Sequence, residues 1–508
     1  MINYDNIQPM LADFLARGLV ISPWLMMHSQ TRVDVEQFSY IDRIAADMVA
    51  VHWTDSEKIE VFGKFPLSER LPRTAVYEII ASTALSLAHN KFGDLEIYQE
   101  QILEALHLFT GYVADYGFGN IVKIYGLVTS FENVQALHYY ERIPERIFNL
   151  GSWHRPWVDY SLSDELLWGV FQGNYQIDIA DQRRYVTITD KGQAFYFSIM
   201  KILDECGYLI HRVRQLQIHN FSFYSNYAEV ANEFWPNLHQ LRKNFLKWSG
   251  IQPGMRVLEL GCADGVSTFE SGLADLIGER GQVIAIDPSM GMIFRANKRK
   301  AESGSNWVNF QQAKAERLPF HNESFDAVIA FSSLQFMDLS QALTEIKRVL
   351  KLNGEFTSLH PLKFKMNAIM GEWFSPIVKL AKYSRNETPK DFLNNPEEIL
   401  DAIHKAGFLD VRDKADEIIN FHQDPKIVAN HIFRGVGWMQ EELSMIPWKA
   451  REDVINEVIE QGKIMCEKYS DEERMVRSPM QMIKGRKEQV APDSHGIGQW
   501  HHGVKGSN

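Results

Sequence analysis

The run Val257-Leu-Glu-Leu-Gly-Cys-Ala-Asp-Gly265 holds the residue types and spacing best suited to chemistry. An apolar stretch carries Glu259 near its end, and Gly261 and Gly265 flank a tight loop that opens a helix at about Val266. Glycine supplies the positive φ and the close backbone approach such a loop needs. In an open α/β sheet a ligand then sits beyond the carboxyl ends of the strands, where the strand order reverses. A dinucleotide site uses similar parts, but needs a second glycine where pyrophosphate approaches, in the pattern G-x-G-x-x-G. Here Ala263 holds that position and the spacing is G-x-x-x-G. A ligand without pyrophosphate tolerates that loss. A second acid, Asp287, closes an apolar run and begins Asp287-Pro-Ser-Met-Gly-Met292. A carboxylate there can accept both ribose hydroxyl protons. Each residue also has a plainer reading: Asp287 as a turn or cap, Met290 and Met292 as core, Cys262 as a small packing residue.

These residues need a sheet to position them, and the chain provides its pattern from Met255 onward. Short β-branched-rich runs at Arg256–Leu260, Gln282–Ile286, Trp307–Gln311, Ala327–Phe331 and Glu355–Leu359 alternate with helical segments, among them Met290–Glu302 and Ser340–Leu350. That alternation is the signature of an α/β doubly wound parallel sheet. A last strand is expected over Met480–Lys484, with a helical insertion at about 425–470 before it. Residues 1–160 read as a mostly helical domain, with apolar residues such as Ile79, Ile80, Leu85, Leu87, Ile102, Leu103, Leu106 and Leu108 at three- and four-residue spacing. Residues 161–220 give helix (Ser161–Phe171), hairpin (Tyr175–Ile179 and Tyr185–Thr189 around the tip Asp181-Gln-Arg-Arg184) and a long helix with a capping-box-like start at Asp190 and Gln193. Residues 221–490 form the α/β domain, and 491–508 read as a flexible polar tail.

Several runs together carry a family resemblance. The Glu259 loop, the Asp287 segment, Ala315-Glu-Arg-Leu-Pro-Phe320, Ser324-Phe-Asp-Ala-Val-Ile-Ala-Phe331 and Ala342–Gly354 follow one another over about a hundred residues. They closely resemble the small-molecule class I methyltransferases of the ubiquinone- and menaquinone-biosynthesis type. The resemblance implies a Rossmann-like seven-stranded sheet and S-adenosylmethionine (SAM) as cofactor. It places Glu259, Gly261, Ala263 and Gly265 at the methionine end, and Asp287 on the ribose with Ser289 close by. Met292 would pack on adenine, Ala315 and Glu316 would lie beside its edge, and Phe331 and Ser332 would face the transferable methyl. One departure stands out: relatives usually carry an acid before the Ala-Glu pair, and here Lys314 stands there. A lysine cannot accept the adenine amino proton. The 161–220 segment resembles winged-helix regulators and the dimerisation domains of some O-methyltransferases, which implies a homodimer.

Methyl transfer asks chiefly for in-line orientation, which can contribute roughly 7–11 kcal/mol, and for a general base only if the acceptor must lose its proton early. His360, in Ser-Leu-His-Pro361, is the base candidate, against a plain hydrogen-bonded histidine. Tyr224 and Tyr227, in an aromatic cluster before the sheet, are candidates for contact with substrate, against simple packing. The acceptor side is expected from 363–390 and the insertion, with Trp373, Trp438 and Trp448 favouring a small apolar or aromatic molecule. The rival function is a DNA-binding regulator using Arg183, Arg184, Arg212 and Arg214, but a net charge of -12 gives nucleic acid no general support. Three scattered cysteines suggest neither disulfides nor a metal site and fit the cytoplasm. No signal peptide and no membrane span is expected.

Overall fold

The computed structural model describes residues 71–92, 99–148, 163–363, 366–383 and 396–488, with a few helical residues upstream at 12, 15–16, 19 and 43–46. The expected tail, 491–508, and part of the 363–390 segment lie outside the described residues. Helices Leu71–Phe92, Gln99–Tyr116 and Phe118–Tyr140 pack through Ile79, Ile80, Ile102 and Leu106, all buried. Leu108, expected in that core, faces solvent instead.

Strand β1 (Arg142–Pro144) pairs with β3 (Arg183–Ile188), which also pairs with β2 (Tyr175–Ala180). The hairpin tip is two residues, not four: Asp181 and Gln182 have φ of 47° and 59°, while Arg183 and Arg184 already pair across to Ala180 and Ile179. Positive φ at both central residues is the type I′ turn that matches strand twist. The following helix, Asp190–Glu205, is capped one residue earlier than its sequence suggests, by Thr189 accepting from the Gly192 amide at 3.1 Å.

The second sheet has seven strands: β4 (Arg256–Leu260), β5 (Gln282–Asp287), β6 (Val308–Gln312), β7 (Phe325–Phe331), β8 (Leu350–Pro361), β9 (Leu409–Asn420) and β10 (Val476–Arg486). Their order is β6-β5-β4-β7-β8-β10-β9, with β10 antiparallel to both neighbours and the pairings among β4 to β8 parallel. Alternation sends Leu258, Leu260, Ile284, Ile286, Val328 and Ala330 to one buried face, and Val257, Val283, Ala285, Ala327 and Ile329 to the other. The order reverses at β4, between β5 and β7, so the site belongs at the carboxyl ends of those strands. β9 has no counterpart among the expected strands, because half of its residues are charged. Helices between Pro425 and Arg474 occupy the connection from β9 to β10, including a π-helical turn at Asn430–Gly435. Among the described residues no helix is long and apolar enough to cross a membrane.

Candidate active site

The loop after β4 is held open by steric necessity. Gly261 has φ 67°, and a Cβ there would meet the Ser333 Cβ at 2.4 Å. Ser333 is pinned in place, its hydroxyl donating to the Leu260 carbonyl at 2.9 Å. Ala263 adopts φ 48°, a left-handed conformation that costs an alanine roughly 1–2 kcal/mol. In that conformation its amide donates to the Asp287 Oδ2 at 3.0 Å, while the Ser289 amide donates to Oδ1 at 2.8 Å. The loop of β4 and the end of β5 are thereby tied to one carboxylate. Burial pushes the Asp287 carboxyl up to about 6, although both amides favour its ionised form.

A cavity of about 700 Å³ opens beside this carboxylate. Of the residues expected from sequence, Gly261, Ala263, Asp287, Ser289, Ala315, Glu316, Phe331, Ser332 and Tyr227 line it. Glu316 accepts from the Asp338 amide at 2.8 Å, which fixes the loop after β6 against the one after β7. Glu259 and Gly265 stand one layer behind the wall. Glu259 is buried, accepts from the Thr268 hydroxyl at 2.5 Å, and is pushed up by burial to about 7. Met292 is fully buried beneath the wall rather than in it; its amide donates to Ser289 and its sulfur lies 3.2 Å from Arg295. That placement corrects its expected stacking position.

Two catalytic candidates are also displaced. His360 is fully buried, with Nδ1 3.2 Å from the Ser358 hydroxyl and Nε2 3.1 Å from the Gln481 Oε1. Burial lowers its pKa to about 4. Both nitrogens are engaged and His360 is not among the cavity-lining residues, contrary to its expected place. Tyr224 lies outside the lining residues, its hydroxyl 2.6 Å from His431 Nδ1 in the π-helical turn. Tyr227 does face the cavity, but burial raises its hydroxyl to about 12, so at neutral pH it is a phenol able to donate.

The sequence reading missed Arg242. It is 1 % exposed, pairs with Glu270 at 3.2 Å, and lies over the Phe331 ring at 5.7 Å, all at the cavity wall. Its signal was present: Leu238, Leu241 and Phe245 set the buried stripe of the Leu238–Ser249 helix, and Arg242 falls within it. The far wall comes from Tyr112, from one face of the Tyr208–Phe223 helix, and from Ile418, Val436, Trp438 and Met480. Trp373 is core instead, donating to the Val458 carbonyl at 3.1 Å. The arginines that a DNA reader would need are used elsewhere. Arg212 is buried and donates to the Ser444 carbonyl, Arg184 pairs with Glu145, and Arg214 lines the cavity. Of the four, Arg183 alone is exposed and without an ion pair among the described residues, Arg184 being exposed but paired.

The part of the chain that carries this cavity is similar to known proteins. Residues 251–407 match the family described as a methyltransferase domain. A 2-phytyl-1,4-naphtoquinone methyltransferase of Synechococcus elongatus is 37 % identical over 128 residues, which cover 25 % of this chain and 54 % of that protein. A ubiquinone/menaquinone biosynthesis C-methyltransferase of Haemophilus ducreyi is 33 % identical over 157 residues, covering 30 % and 57 %. The chain thus spans little more than half the length of these curated relatives. Among solved structures, the YcgJ protein from Bacillus is 19 % identical with a TM-score of 0.34, covering 49 % of this chain and 99 % of that one. Residues 251–407 thus match a methyltransferase domain, and they include strands β4 to β8 of the seven-stranded sheet.

Proposed function

We propose that this protein transfers a methyl group from SAM to a small apolar or aromatic organic acceptor. The observation that carries the proposal is the Asp287 carboxylate, buried at the switch point beside a cavity whose far wall sets Ile418, Val436, Trp438 and Met480 among a few polar side chains. SAM supplies the methyl on a sulfonium and departs as a neutral thioether. Asp287 would hold the ribose and the Gly261–Gly265 loop the methionine end, with Ala315 and Glu316 at the adenine edge. Arg242 fixes the Phe331 ring, and Phe331 with Ser332 shapes the wall where the acceptor must align. Tyr227 can donate one hydrogen bond to it. With His360 outside the cavity lining, orientation and exclusion of water are the main contributions this reading asks of the site. The curated relatives are named for quinone-type substrates, so quinone-like rings are the first acceptors to screen.

Calorimetric titration of S-adenosylhomocysteine tests the reading. Micromolar binding is expected, weakened at least tenfold, or about 1.4 kcal/mol, by Asp287→Ala. Because the Asp287 carboxyl sits near pH 6, its charge is complete above that pH and lost below it. Wild-type affinity should therefore fall between pH 7.5 and 5, while that of Asp287→Ala stays flat. Absence of binding by the wild type would overturn the proposal.

A further inference from the structure

The far end of the cavity is cationic. His211, Arg214, Gln217, Ile218 and Phe221 recur at three- and four-residue spacing on the Tyr208–Phe223 helix, and all five line the cavity. The carboxyl end of that helix is stapled to the cofactor side. The Ser222 hydroxyl lies 2.7 Å from that of Ser289, and Arg295 donates to the carbonyls of Phe221 and Ser222 at 2.9 and 3.1 Å. A Cβ at Gly291 would strike the Ser222 carbonyl oxygen at 2.2 Å, so the two helices meet backbone to backbone. With about 1.5 Å of rise per residue, Arg214 stands roughly 10 Å and His211 roughly 15 Å along the axis from Phe221.

The lining carboxylates are all on the sheet side. They are Asp287, at the end of β5, and Glu316 and Asp338, on loops at the carboxyl edge of the sheet, where the lining cations Lys314 and Arg317 also stand. Of the lining arginines, Arg242 is neutralised by Glu270 and Arg317 is exposed at the rim. Arg214 is half-buried, and neither an ion pair nor a side-chain hydrogen bond ties it to any described residue. Holding a half-buried guanidinium against a cavity wall without an anion is unfavourable, and a bound acidic group would offset that cost through charge-assisted hydrogen bonds. Tyr112 and Trp438 line the same cavity with flat apolar surface.

We infer that the acceptor carries an acidic group, a carboxylate or a phosphate, remote from its methyl-accepting end, and that Arg214 with His211 selects for it. This inference rests on the methyltransferase reading of the same cavity. The test uses full-length protein saturated with S-adenosylhomocysteine, titrated with 6-hydroxy-2-naphthoate, its carboxamide, and 2-naphthyl phosphate. Cofactor-product binding is measured first and should be equal in wild type, Arg214→Gln and His211→Gln; if the wild type does not bind it, the methyltransferase reading fails independently of this one. The wild type should bind the acids at least tenfold more tightly than the amide, and the stronger of the two acids identifies the group. Arg214→Gln should bind acid and amide within about twofold, and His211→Gln should lose part of the preference. Equal binding of acid and amide by the wild type, or a preference that survives in Arg214→Gln, would overturn the inference.

Discussion

Ala263 shows how a residue type can be legible while its conformation is not. The two flanking glycines announced a tight loop, and the alanine between them excluded a pyrophosphate fingerprint. Nothing in its identity disclosed the φ of 48° that lets its amide reach Asp287. Replacing it by glycine removes a left-handed penalty of roughly 1–2 kcal/mol and adds back roughly 0.5–1 kcal/mol of unfolded-state freedom. Ala263→Gly should therefore stabilise the protein by up to about 1.5 kcal/mol, read as a higher midpoint in thermal or urea unfolding. A lower midpoint would mean that the methyl group contributes more by packing than the backbone loses in strain. Arg242 makes the complementary point. The spacing of Leu238, Leu241 and Phe245 held the signal for a buried stripe that includes it, but only the fold shows that Glu270 and the Phe331 ring await it there.

At the scale of elements, the strands that carry the cofactor end were readable because each is apolar, short and followed by a helix. β9 was not, since an edge strand with half its residues charged lacks the alternation that marks a strand. The same limit misplaced His360. A histidine near the end of a parallel strand is expected to point into the site, yet β10 returns from 121 residues downstream and sets Gln481 directly against it. His360 joins two strands through its ring, so His360→Ala leaves a buried amide oxygen without its partner, at a cost of about 1–3 kcal/mol. Turnover measured below the melting temperature should be unchanged. The stability deficit should also depend on pH in a defined direction. The folded-state pKa of His360 is depressed to about 4, so the stabilisation from its neutral ring is full above the unfolded value near 6.5 and fades as pH falls toward 4. Wild type and variant should converge in acid. A loss of turnover at constant stability would instead restore the base.

Across the whole molecule, composition and length suggested separate units, with divisions near residues 160 and 220. The buried apolar core crosses both positions. One continuous cluster includes Ile79 and Phe131 from the early helices, Val186 and Leu203 from the hairpin module, Phe245 and Val283 beside the sheet, and Ile455 and Met480 near its last strand. Polar contacts run the same way. Arg212 donates to the Ser444 carbonyl and lies 5.5 Å over the Phe131 ring, and His138 meets Tyr383 edge-on at 5.1 Å. The cavity depends on this continuity, because Tyr112 and the Tyr208–Phe223 helix form its far wall while the sheet forms the near one. A sequence pattern records the period of each element but not which faces meet, so the shared core was beyond its reach. Elements that share one core should melt together. Far-ultraviolet ellipticity, near-ultraviolet ellipticity and calorimetry should therefore report a single coincident transition, and saturating S-adenosylhomocysteine should raise it as one step. Two transitions, of which only the later responds to S-adenosylhomocysteine, would show instead that the early helices fold on their own and that the far wall can separate from the site it encloses.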